Sequence, residues 1–102
     1  NRMVDVVVLS RDQDSVCNDR NTTSTTLDSI HKNTIYALED AKIRKDDDIA
    51  KMLTNQLDEI DRFQTILSKE DIGKYFCKQK IRNIYDTATL IASEEWKKSS
   101  AP

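Results

Sequence analysis

Apolar and polar positions alternate with a helical period over most of this chain, but not at its start. Val4–Leu9 (VDVVVL) is a dense apolar run of six residues in which Val6, Val7 and Val8 stand side by side. Valine clusters of this length read as an extended, β-like segment. A polar connector, Ser10–Thr23, follows. The opening is therefore expected to be an extended N-terminal arm over residues 1–23. From Ser24 onward the spacing turns helical.

The first helix is expected from about Thr25 to Lys45, capped by a Ser or Thr near positions 24–26. At 100° per residue, Leu27, Ile30, Thr34, Ala37, Leu38 and Ala41 share one face. Tyr36 and Ile43 point away from it. Asp46-Asp47-Asp48 then suits a helix start, where carboxylates cap free N–H groups and meet the positive end of the dipole. The second helix, about Asp48 to Leu67, has the cleanest stripe: Ile49, Met52, Leu53, Leu57, Ile60, Phe63 and Leu67. Ser68-Lys69-Glu70-Asp71 fits a capping box, which starts a third helix near Lys69 and carries it to about Lys98. Its stripe is Cys77, Ile81, Ile84, Ala88, Ile91 and Ala92, with Tyr85 and Trp96 at the margin. Ile72, Tyr75 and Phe76 fall off that stripe, which favours a turn or kink near Gly73.

Three amphipathic helices on short connections predict an all-α, up-down-up bundle over residues 24–102. The last helix, about 28 residues and roughly 40 Å long, should overhang the other two. The chain of 102 residues makes one small domain, and its single Gly and single Pro argue against a turn-rich β fold. A core of this size is marginal and gains from a staple.

Cys17 and Cys77 supply a candidate. They lie sixty positions apart in unlike surroundings, and neither belongs to a zinc-ligand or Cys-x-x-Cys pattern. One disulfide pinning the arm to the helical body is the simplest use of the pair, and it points to an oxidising compartment, secreted or periplasmic. Asn21-Thr22-Thr23 is an N-glycosylation sequon in the same polar stretch, so Asn21 is a candidate glycosylation site. The chain opens on Asn1, which fits a processed or trimmed form.

Sixteen basic and eighteen acidic residues leave a formal charge of −2, without the basic footprint of a nucleic-acid binder. No apolar run approaches the roughly 18–20 residues of a membrane span. His31 is the only histidine and has no metal-ligand companion, so it reads as a partly buried imidazole. Asp46–Asp48 and Asp12-Gln13-Asp14 lack the alternation, glycine and closing Glu of a calcium loop. The Asp58/Asp61 and Glu94/Glu95 pairs lie mostly on polar faces, unlike an acid/base pair held in a cleft. One glycine excludes a Gly-rich phosphate loop. No catalytic, cofactor or metal site is expected.

What stands out is exposed apolar and basic surface. Lys74, Lys78 and Arg82 make a basic line at four-residue spacing on the last helix, and Tyr36, Ile43, Tyr75 and Phe76 resist burial. The arm is expected to fold back over Ile72, Tyr75 and Phe76, and Trp96 to close one end of the bundle. Uncovered, the same residues are anchors for a partner, with the basic line as rim. The leading expectation is an exported, non-enzymatic protein that binds another protein, in the manner of an inhibitor, immunity protein or secreted modulator. A homodimer stays open within it. The alternatives are a cytosolic, self-associating adaptor with free thiols, and a carrier with an apolar cavity between its helices.

Overall fold

The computed structural model describes residues 2–99, and these form helices joined by short turns. α1 spans Arg2–Leu9, a 3₁₀ turn Ser10–Asp12, and α2 the single turn Gln13–Val16; α3 spans Arg20–Ile43, α4 Asp47–Lys69 and α5 Lys74–Ser99. Residues 100–102 of the expected 24–102 bundle lie outside the described residues.

The bundle has four helices, not three, because the expected extended arm is helical. Met3 and Val6 are fully buried and Val7 half-buried, at helical spacing, while Val4, Asp5 and Val8 face out. Valine's weak helix propensity costs at most about 0.7 kcal/mol per residue. A lone strand lying between two helices would leave its N–H and C=O groups without partners, a larger penalty. The helix satisfies them internally. This is tertiary context overriding local preference.

α1 packs against α3 and α5, and α4 packs against the same two helices. The Arg2 guanidinium stands 4.7 Å from the centre of the Tyr36 ring, well along α3. Cys17 reaches Cys77 on the first turn of α5. The first 17 residues therefore run back along the bundle, antiparallel to α3 and α5, in an up-down-up-down arrangement. α3, α4 and α5 have 24, 23 and 26 residues, so α5 hardly overhangs its neighbours.

Local chemistry sets the boundaries. α3 begins five residues before the expected start, because Asp19 caps it: the Thr22 N–H donates to Asp19 Oδ1 at 2.7 Å. The buried Thr23 hydroxyl donates to the Val16 carbonyl at 2.7 Å, tying α2 to α3. At the other end of α3, Lys45 adopts φ 59°. The Asp46 N–H then reaches the Ala41 carbonyl at 2.9 Å and the Lys45 N–H the Lys42 carbonyl at 3.0 Å, a Schellman closure. Asp46 caps α4 as expected, accepting from the Ile49 N–H at 3.2 Å. The Ser68 capping box does not form. α4 continues through Lys69, and the Ser68 hydroxyl donates back to the Thr65 carbonyl at 2.8 Å. The chain breaks over Glu70–Gly73, where the kink was expected, and Ile72 tucks against the core.

The core follows the predicted faces closely. Leu27, Ile30, Thr34, Ala37 and Ala41 of α3 meet Ile49, Leu53, Ile60, Phe63 and Leu67 of α4, with Ile81, Ile84, Ala88 and Ile91 from α5. Gln56 is the unexpected member. Only 2% exposed, it donates from Nε2 to the Ile84 carbonyl at 2.8 Å, across the α4–α5 interface.

The two ends are held differently. At one, the Cys17 and Cys77 sulfurs sit at disulfide distance, 2.05 Å, and both residues are buried. At the other, Arg44 meets Glu95 at 3.3 Å and Lys98 meets Asp46 at 2.7 Å, binding the α3–α4 turn to the last turns of α5. Burial raises the Glu95 pKa above its ordinary value, with the Arg44 charge opposing. The Asp46 pKa is lowered, chiefly by its hydrogen bond from Lys98. That of Asp19 is lowered by hydrogen bonds from Thr22.

Two predictions follow from these ends. Closing a loop of 60 residues restricts the unfolded chain by about 4 kcal/mol in the loop-entropy account. At roughly 4–8 °C per kcal/mol for a domain of this size, Cys17→Ser with Cys77→Ser should lower the melting midpoint by about 15–30 °C. A fall of only a few degrees would mean that packing alone holds the N-terminal helix. The second concerns pH. Asp19 and Asp46 have lowered folded pKa values, so their stabilisation is full above about pH 4 and is lost as pH falls through those values. Glu95 has the opposite sign: its raised value makes the folded state weaken as pH rises through it. Thermal melts should therefore show stability falling below about pH 4, and Glu95→Gln should remove any decline that sets in as pH rises above the ordinary Glu value of 4.5. Stability still rising below pH 3.5 would contradict the assignment.

Candidate functional site

The first turns of α5 bring together most of the residues singled out as a contact surface. Gly73 ends the turn, its carbonyl accepts the Cys77 N–H at 3.1 Å, and Cys77 anchors the helix to the α2–α3 junction. The turn between these two fixed points carries Lys74, Tyr75 and Phe76. Tyr75 is 78% exposed, and its hydroxyl accepts from Gln79 Nε2 at 3.0 Å, which lays the ring along the helix. Phe76 is 39% exposed; one side of its ring meets Phe63 of α4 edge-on, with centres 6.3 Å apart. Lys80 Nζ stands 5.5 Å from the Phe76 ring centre.

The arm does not cover this group. α1 lies between α3 and α5, its buried residues are Met3 and Val6, and only Ile72 of the off-stripe trio joins the core margin. The aromatic pair is left facing solvent. Lys74, Lys78 and Arg82 are also exposed, and among the described residues none of them, nor Lys80, takes part in an ion pair. From 74 to 85 the helix holds four cations and no carboxylate.

The other predicted contact residues lie elsewhere. Tyr36 is 37% exposed on α3 and is partly covered by the Arg2 guanidinium and Lys32. Ile43, 79% exposed, ends α3 at the ionic end of the bundle. α3 and α5 run in the same direction, so Tyr36 and Ile43 do not share a surface with Tyr75 and Phe76. Trp96 does not close the bundle: it is exposed near the end of α5. Asn21 is exposed but helical, in the first turn of α3, while Thr23 of its sequon is buried beside Cys77, with its hydroxyl 3.8 Å from the sulfur.

Sites for chemistry are sparse. His31 Nε2 lies 3.1 Å from the Asp61 carboxylate in a half-exposed α3–α4 pair. Among the described residues no three His, Cys, Asp or Glu side chains cluster as metal ligands. No described helix is long and apolar enough to cross a membrane. At the ionic end, a cavity of about 460 Å³ is bordered by Arg2, Asp40, Arg44, Asp46, Glu95 and Lys98. Small-molecule sites are predominantly apolar with a few polar groups. Here six charges of both signs surround the space, and two pairs of them already bind each other.

Sequence reasoning missed a groove between α4 and α5, about 210 Å³, whose borders include Phe63, Lys80, Asn83 and Thr87. Its signal was present in Gln56, a polar residue on an apolar stripe. No protein-family model matches the chain, and no curated protein or solved structure matches it.

Proposed function

We propose that this chain is an exported, non-catalytic protein that works by binding another protein through the first turns of α5. The observation that carries the reading is the exposed pair Tyr75 and Phe76, held on a helical turn between Gly73 and the anchored Cys77. Aromatic side chains dominate binding hot spots because they bury large area with few rotatable bonds. A rigid platform lowers the entropy lost on association. Among the described residues Lys74, Lys78 and Arg82 have no ion-pair partner, so they can steer an acidic partner and form the rim of the contact.

Export rests on the cysteine pair. A buried disulfide is at home in a secreted or periplasmic protein and rare in a reducing cytosol. An inhibitor, immunity protein or secreted modulator would all use such a scaffold.

The test separates binding from folding. Tyr75→Ala should change stability by no more than about 0.5 kcal/mol, as for other exposed positions. Phe76→Ala should cost about 1 kcal/mol, since it loses the edge contact with Phe63. Both should weaken partner capture at least tenfold. A photo-crosslinking residue at position 75 should yield one discrete adduct from extracellular or periplasmic fluid, and the same residue at position 43 should not. Losses of binding that merely track losses of stability would make Tyr75 and Phe76 structural and defeat the reading.

A further inference from the structure

The Asn21-Thr22-Thr23 sequon opens α3, and the fold pulls its two working groups apart. The Thr22 N–H donates to Asp19 Oδ1 at 2.7 Å and the Thr23 N–H to the Asp19 carbonyl at 3.1 Å, so both residues are fixed in the first turn. Thr23 is only 2% exposed. Its hydroxyl donates to the Val16 carbonyl and lies 3.8 Å from the Cys77 sulfur. Side chains two positions apart on a helix point about 200° apart around its axis. With Thr23 turned to the core, Asn21 is turned to water, and it is exposed.

An enzyme that joins sugar to such an asparagine reads the hydroxyl two residues on as well as the amide. In an extended chain residues i and i+2 line one face, so a single cleft can hold both groups. In α3 they stand on opposite sides of the helix, and the hydroxyl is buried. The folded sequon is therefore no substrate, whereas the extended one is. Positions 21 and 77 are 56 residues apart. At roughly 5–20 residues per second of synthesis, about 3–11 s pass before the cysteine pair can close.

We infer that Asn21 carries an N-linked oligosaccharide, attached while the chain is still extended and barred once Cys17 and Cys77 have joined. The inference rests on the exported reading and adds a modification to it. The donor is an oligosaccharide held on a lipid diphosphate. Asn21 Nδ2 bonds to the sugar C1 as the bond from C1 to the phosphate oxygen breaks. The lipid diphosphate leaves with that electron pair, and the amide proton passes to a base of the transferase. The folded protein then keeps the sugar in water without moving its core. α3 and α5 occupy opposite corners of the bundle, each packed on α1 and α4, so the sugar lies across the bundle from Tyr75 and Phe76.

The full chain, made by cell-free translation behind a heterologous leader and with microsomes present, should gain one glycan that an amidase removes. Asn21→Gln and Thr23→Ala should lose it, and Thr23→Ser should keep it. Unglycosylated chain from bacteria is then offered to solubilised transferase with a lipid-linked oligosaccharide. The oxidised, folded form should stay unmodified, and the reduced and alkylated form should be modified at least tenfold faster. No glycan during translation overturns the site. Equal rates for the two forms overturn the order of events, because the fold would then be no barrier. Intact mass of natively produced protein separates this inference from the reading beneath it. A disulfide with no sugar at Asn21 removes the inference and leaves export standing; free thiols remove both.

Discussion

The link between Cys17 and Cys77 is the constraint on which the rest of this structure depends. α1 has eight residues and α2 four, far below the roughly 12–15 at which an isolated helix becomes even marginal in water. They form because they are docked, and the cysteine pair keeps them beside the groove in which they dock. With the N-terminal segment in place, Met3, Val6 and Val16 close the side of the core left open by α3, α4 and α5. Without it, a three-helix remainder would expose the flanks of α3 and α5 to water.

The same link shapes the proposed contact surface. Helix ends fray because their first N–H groups lack partners within the helix. In α5 the opening turn is instead held at Cys77, and the Thr23 hydroxyl packs against that sulfur while bonding to the Val16 carbonyl. Arg20 adds a bond from its guanidinium to the Glu70 carbonyl at 2.9 Å, steadying the turn that precedes α5. Tyr75 and Phe76 thus project from one of the most constrained parts of the molecule. The opposite end relies on half-exposed cations, Arg44 and Lys98, against the more buried carboxylates of Glu95 and Asp46. Such pairs contribute modestly and respond to pH. One end is a covalent platform and the other an ionic clasp.

Much of this was legible in the sequence, and the exceptions have physical causes. The apolar faces of α3 and α4 and the inner stripe of α5 were readable because a period of 3.6 residues survives any detail of packing. The cysteine pairing was readable because a chain with two cysteines admits one internal bond. The first helix was not. Three adjacent valines favour an extended chain locally, and the groove that makes a helix the better choice exists only once α3 and α5 have met. The Asn/Thr-rich start of α3 misled for a related reason: Asp19 and Thr23 turn an apparent connector into a capped and buried first turn. Gln56 was invisible because its partner is a backbone carbonyl on another helix. Tyr75 and Phe76 were picked out as misfits, but only the structure separates them from Tyr36 and Ile43. Sequence spacing cannot tell which misfits share a surface.

The most direct test of the account is the state of the two thiols in natively produced protein. Intact mass should be measured after alkylation with and without prior reduction, under denaturing conditions so that burial does not protect a free thiol. The account predicts no label before reduction and two labels after it. Two labels without reduction would contradict it, removing the covalent platform beneath Tyr75 and Phe76 and, with it, the argument for an exported protein.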